Sequence, residues 1–166
     1  MKIDHRVIAF VVPIAALVLA CDQYTKHLVC MHIPLFGKIE ILPGVLDLVH
    51  IRNTGIAFGL LQNIGSAYRT AVMFGVGAVA LVLLGVLTAH VTWTQKLQVV
   101  ALSLIFGGAV GNLIDRIRFG EVVDFIDVHW RNLYHWPAFN VADSAISIGI
   151  AFVVIDELVL KKRKKG

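Results

Sequence analysis

The sequence predicts an all-α polytopic membrane protein: four transmembrane helices and a small β-sheet outside the bilayer. Three observations predict it. Of 166 residues, 58% are hydrophobic and only 16% are charged, with a mean hydropathy of +0.80, far from the balance of soluble domains. The apolar residues gather in four stretches, each near the roughly 17 to 25 residues that cross a hydrocarbon core. Between the first two stretches lies a segment that alternates like paired strands around Pro43-Gly44. The length suits a single membrane-embedded domain, residues 1–166.

The first span is expected at about 7–24. Lys2 and Arg6 ahead of it, and Leu19-Ala20 before Cys21, imitate the leader of a lipoprotein whose cysteine is lipidated and then exposed by cleavage. Three further spans argue for a permanent helix, because losing residues 1–20 would remove one member of a bundle. The first outer segment, about 25–67, holds Lys38–Leu42 and Val45–Ile51, two short strands expected to lie on the membrane surface. A second span follows at about 68–89 and, after the short link His90 to Lys96, a third at about 97–114. Gly107 and Gly111 in the third span form a Gly-x-x-x-Gly pair, read as close helix packing. The second outer segment, about 115–139, mixes charge with Trp130, Tyr134 and Trp136, side chains suited to the headgroup level.

The fourth span, about 141–160, leads into Lys161-Lys-Arg-Lys-Lys165. A basic cluster just past a spanning helix reads as a cytoplasmic anchor on anionic lipid, not as a nucleic-acid patch. Four spans then place both termini inside, in agreement with Lys2 and Arg6, although Lys38, Arg52, Arg118 and Arg131 sit in or beside the outer segments. Cys21 and Cys30 are read as free thiols.

This topology gathers Asp22, Asn112, Arg116, Asp124, Asn140 and Asp143 toward the outer face. Asn112 and Arg116 are four apart, on one helix face. The Arg alone could snorkel to the headgroups, but an amide one turn deeper needs a partner. Asp124 lies between Val123 and Phe125, and Asp143 at the mouth of the fourth span, where Asn140 could act as a helix N-cap with Asp143 favoured by the dipole. Two acids in apolar frames at one depth are candidates for function. Brought together, they would share a proton, one taking a proton from water while the other donates to a carbonyl, as aspartic proteases do without metal or cofactor. Their separation of 19 residues permits the meeting but does not require it.

An ion-coupled carrier would also bury acids, but spread across the membrane's depth. His129 and His135 lack a third ligand at metal-like spacing and are read as interfacial histidines, so no metal is expected. Asp156 and Glu157 are read as solvated, Glu157 with Lys161 at i+4, and Asp22 as a surface acid at the first helix's exit with Lys26 at i+4.

Five short stretches, in order, resemble the motifs of the lipoprotein signal peptidases, or signal peptidase II. They are Asp22-Gln-Tyr-Thr-Lys26, Asn53-Thr-Gly-Ile-Ala-Phe58, Gly111-Asn-Leu-Ile-Asp-Arg116, Val122-Val-Asp-Phe125 and Phe139-Asn-Val-Ala-Asp143, with Ile56 a variation within its box. The resemblance implies an aspartic endopeptidase of the bacterial cytoplasmic (inner) membrane. Such an enzyme cuts the signal peptide from diacylglyceryl-modified prolipoproteins just before the lipidated cysteine. It further implies a catalytic dyad of Asp124 and Asp143, and dyad support or substrate binding by Asn53, Asn112, Arg116 and Asn140. Asp22 would have a structural role, the outer segment would be a periplasmic sheet cradle, and globomycin-type compounds would inhibit. The expected partners are the lipidated substrate and membrane lipid, with no cofactor, no nucleic acid and a monomeric state.

Overall fold

The computed structural model describes residues 4–54, 66–131 and 133–160. Lys2, residues 55–58 of the second motif and the basic tail 161–165 lie outside them. Helix α1 spans His5–His32 and starts at Asp4, whose carboxylate accepts the Arg6 N–H at 3.0 Å, a side-chain N-cap. It runs well past Tyr24, where the sequence predicts its exit, because the polar residues of that region turn inward and find partners. Helix α2 covers Ser66–His90 and α3 covers Lys96–Phe119. Gly120 closes α3 with φ 74°, a left-handed conformation that only glycine takes without steric cost.

These three helices are long and apolar enough to cross a membrane, α2 over Ala71–His90. The fourth expected span is built differently: α4 is a 15-residue helix, Val141–Ile155, and the chain continues as a π-helical turn over Asp156–Leu160. Glu157 is exposed and Asp156 half-buried on that turn.

α3 is central and packs on α1 and α4, with α2 more loosely against its flank. Glycines permit the close approach. A Cβ on Gly107 would lie 2.7 Å from the Ala15 carbonyl oxygen of α1, and one on Gly108 would strike the Ala142 backbone of α4. Val76, Val79, Val82 and Leu83 of α2 are exposed, an apolar face suited to lipid.

The two predicted strands form, as β1 (Lys38–Leu42) and β2 (Leu46–Asn53), with Gly44 at φ 73° in the turn. The second outer segment, for which no strand is expected, supplies two more: β3 (Val122–Trp130) and the short β4 (Tyr134–His135). The antiparallel order is β1-β2-β3-β4. The carboxylates of β3 hide its strand pattern in the sequence, whereas β2 offers it an open edge to pair with. Val29 and Ile33 at the end of α1 pack on Phe125 of β3, with Leu48, Ile126 and Val141 around them, and so tie the sheet to the helices.

Candidate active site

Three elements converge at one end of the bundle: the last turns of α3, the start of β3 and the first turn of α4. In the sheet, Asn53 pairs with Val122 and Ile51 with Asp124. Side chains two apart on a strand share a face, so Asn53 sits diagonally across from Asp124. Its Nδ2 donates to Asp124 Oδ2 at 2.8 Å.

Asp124 is 2% exposed, and its Oδ1 accepts the Asn140 Nδ2–H at 2.7 Å. Asn140 is fully buried and does two jobs. Its Oδ1 accepts the Asp143 N–H at 2.9 Å while Asp143 Oδ2 accepts the Asn140 N–H at 3.3 Å, a reciprocal capping box that starts α4. The helix-cap reading of Asn140 and Asp143 is therefore right about geometry, and it does not exhaust the residues. Asn140 Nδ2 also reaches Asn112 Oδ1 at 3.3 Å, and Asn112 Nδ2 donates to Asp143 Oδ1 at 2.7 Å. Asp124 and Asp143 are thus linked through two amides from two other places in the chain.

Burial raises the Asp124 carboxyl from its ordinary 3.8 to about 6. The hydrogen bond from Asn53 pulls it down, the negative charge of Asp143 pushes it up, and the bond from Asn140 and the charge of Lys26 lower it in turn. A carboxyl in that range can hold a proton under conditions where an ordinary aspartate has lost it. Asp143, half-buried, faces an open groove of about 480 Å³ lined by Trp136, Phe139, Ser144, Ser147 and Ile148.

Arg116, one turn above Asn112 on α3, is half-buried and donates from its Nη1 to the Asn112 carbonyl at 3.1 Å. Asp22 departs from its expectation as a surface acid. It is fully buried, its Oδ1 accepts the Ala142 N–H at 2.9 Å, and its Oδ2 meets Lys26 Nζ at 2.8 Å. The i+4 partner is the predicted one, but the pair lies inside the bundle because α1 continues past it.

Lys26 is expected only as a partner of Asp22, and Asp115 and Gln23 have no expected role. Lys26 Nζ bridges Asp22, Asp115 Oδ2 at 2.8 Å and Asn112 Oδ1 at 3.0 Å. Asp115, also buried, accepts the Val123 N–H at 3.1 Å and the Gln23 amide at 2.9 Å, fixing where β3 begins. A lysine one turn after an aspartate in an apolar helix was a signal in the sequence; what surrounds the pair was not. Gly111 makes the room: a Cβ there would sit 2.6 Å from Asp22 Oδ2, so this glycine serves the ion pair as well as helix packing.

Comparison with known proteins gives a consistent result. A family model described as signal peptidase (SPase) II matches residues 14–159. A lipoprotein signal peptidase of Geobacter metallireducens is 42% identical over 164 residues, 99% of this chain and 98% of the relative. One of Syntrophotalea carbinolica is 49% identical over 142 residues, 86% of each. Among solved structures, a bacterial membrane enzyme determined by the in meso method at 1.9 Å superposes with a TM-score of 0.80 and 34% identity, over 92% of this chain and 94% of that one. The long apolar helices and these matches make it an integral membrane protein, and the chain belongs to the signal peptidase II family.

Proposed function

We propose that this protein removes the signal peptide from lipidated prolipoproteins, cutting before the modified cysteine, with Asp124 and Asp143 as the catalytic dyad. The observation that carries the dyad is the amide bridge Asp124–Asn140–Asn112–Asp143, which holds two acids from different elements against one network. Burial, which raises the Asp124 carboxyl to about 6, favours its protonated form and assigns it the role of acid. Asp143, in the first turn of α4 where the helix dipole favours negative charge, is assigned the role of base. A water between them loses a proton to Asp143 and attacks the scissile carbonyl, whose oxygen takes the proton from Asp124. Asn53 and Asn140 orient Asp124, Asn112 orients Asp143, and Arg116 steadies Asn112 and the substrate backbone. Asp22 joins α1 to the start of α4.

In this reading α4 and its π-helical turn form a fourth span, both termini face the cytoplasm, and the site and its sheet cradle face outward. A substrate held by its signal helix and acyl chains then presents its cleavage point at the level of the dyad. The buried acids of the helices, Asp22 and Asp115, group with Asp124 and Asp143 at one end of the bundle, not along a path through it, which favours a peptidase over a carrier.

The test is incubation of purified protein with a lipidated precursor peptide, with a globomycin-type inhibitor as control. Asp124→Asn and Asp143→Asn should insert at normal levels and cleave at least about 100-fold more slowly. Normal processing by either variant would overturn the dyad.

A further inference from the structure

The sequence gives His129 and His135 no third ligand; the sheet supplies one. Asp127 and His129 are two apart on β3 and so share a face, and His135 of β4 lies directly opposite His129 in register. The two imidazoles stack with centroids 4.7 Å apart and planes 20° from parallel. His135 Nδ1 lies 2.9 Å from Asp127 Oδ2, and His129 Nδ1 lies 4.0 Å from Asp127 Oδ1. One donor atom from each of the three falls within 4.8 Å of the others. Donors on a tetrahedral zinc ion at about 2.0–2.1 Å stand roughly 3.3 Å apart, so binding requires the donors to close by up to about 1.5 Å and the His135 ring to turn out of its stack on His129, which a residue on the exposed two-residue β4 can do.

An imidazole–carboxylate pair between His135 and Asp127 would account for those two residues alone. It does not account for His129, whose side chain is 5% exposed and whose Nδ1 has no hydrogen-bond partner among the described residues. A buried ring nitrogen left unpaired is costly, and this one points at the Asp127 carboxylate from beyond hydrogen-bond reach. The sheet adds a second imbalance. Glu40 of β1 pairs with Asp47 of β2, and Asp47 with Asp127, a row of three acids across three strands. Like charges set opposite one another repel. Lys38 meets Asp47 Oδ2 at 2.8 Å, but Asp47 is itself buried, and its Oδ1 also finds no partner among the described residues. The excess acidity is felt at Lys38, whose ammonium is raised above its ordinary value by the hydrogen bond and charge of Asp47 and then by Glu40 and Asp127.

We propose that Asp127, His129 and His135 form a site for a divalent transition cation of the Zn²⁺ class, bound by two imidazoles and one carboxylate with a water completing the coordination. Imidazole selects this class over Mg²⁺ or Ca²⁺. The ion would pin β4 to β3 and so fix the chain that runs from β4 through Phe139 to Asn140. Phe139 is already bridged to Ile126 of β3. The site thus braces the catalytic end of α4 without entering the chemistry, and it stands apart from the proposed peptidase reaction.

The test uses tag-free, full-length protein in detergent, stripped of metal and titrated with Zn²⁺ by calorimetry. One equivalent should bind, weakened at least about tenfold by His135→Ala and by Asp127→Asn, since even loss of residues behind a ligand costs that much. Zn²⁺ should raise the Tm of the parent protein by more than that of either variant at the same concentration, and Cys30→Ser should bind as the parent does. Absence of saturable binding, or an equivalent that survives both substitutions or is lost in Cys30→Ser, overturns the site.

Discussion

The carboxylate of Asp22, on α1, accepts the backbone N–H of Ala142, in the first turn of α4, at 2.9 Å. One side chain therefore caps a helix 120 residues away while its other oxygen holds Lys26. The position of Asp143, one residue after Ala142, depends on an ion pair that sits on a different helix.

Lys26→Met should accordingly be among the most damaging substitutions outside the proposed dyad. It leaves Asp22 and Asp115 buried without their shared cation, and breaking a buried pair from one side costs about 3 to 5 kcal/mol. A large fall in Tm in detergent, with activity lost in proportion to folded protein, is the expected result. An unchanged Tm would show that water replaces the ammonium.

Gly111→Ala and Gly85→Ala should part company, although both put one methyl group into a spanning helix. At Gly111 the new Cβ meets Asp22 Oδ2 at 2.6 Å, and overpacking of this kind costs about 1–3 kcal/mol. At Gly85 nothing lies within 4 Å, so the lower entropy of alanine should make the change neutral or stabilising by up to about 1 kcal/mol. Thermal unfolding of the two variants side by side checks the contrast.

The Asp124 carboxyl carries a pH signature. Its value in the fold, about 6, stands above its ordinary 3.8, so the folded protein binds a proton that the unfolded chain has released. The stability this contributes is complete below about pH 4 and is lost as pH rises through about 6. Infrared titration should show a protonated carboxyl band that disappears near pH 6 and is missing in Asp124→Asn. In Asn53→Ala the band should persist to higher pH, because a hydrogen bond that lowers the value is gone. A band that titrates near 4 would refute the assignment.

Arg116→Ala should raise KM and lower Tm together, since the guanidinium both holds the Asn112 carbonyl at 3.1 Å and stands at the acidic cluster. Arg116→Lys keeps the charge but not the planar fork, and should recover more of the Tm than of the KM. Steady-state kinetics and unfolding on the same preparations separate the two effects.

Much of this architecture was legible in residue order. Apolar runs located the helices, and Pro43-Gly44 between alternating segments located β1 and β2. The polar residues of the site were visible because an amide or carboxylate framed by apolar neighbours has to be paired with something. The helix ends were less legible. Asp22 and Lys26 resembled an exit into water, and hydropathy cannot tell a solvated charge from one neutralised inside a bundle. β3 was hidden for a related reason: Asp124 and Asp127 interrupt its pattern, and only pairing with β2 and packing against Val29 and Ile33 make those carboxylates tolerable in a strand.

By itself the sequence determined that the chain lives in a membrane, where its helices run, and which side chains are too polar for their surroundings to be incidental. Those follow from local composition, because the cost of placing a group in hydrocarbon depends mainly on the group. Tertiary structure alone decided the partners. Lys26 gains Asp115 and Asn112 beyond its neighbour Asp22, Asn140 joins a helix start to Asp124, and Asp127 and His129 of one strand meet His135 of the next. The contacts between elements close only when those elements pack, and their energies depend on distances that sequence spacing does not contain.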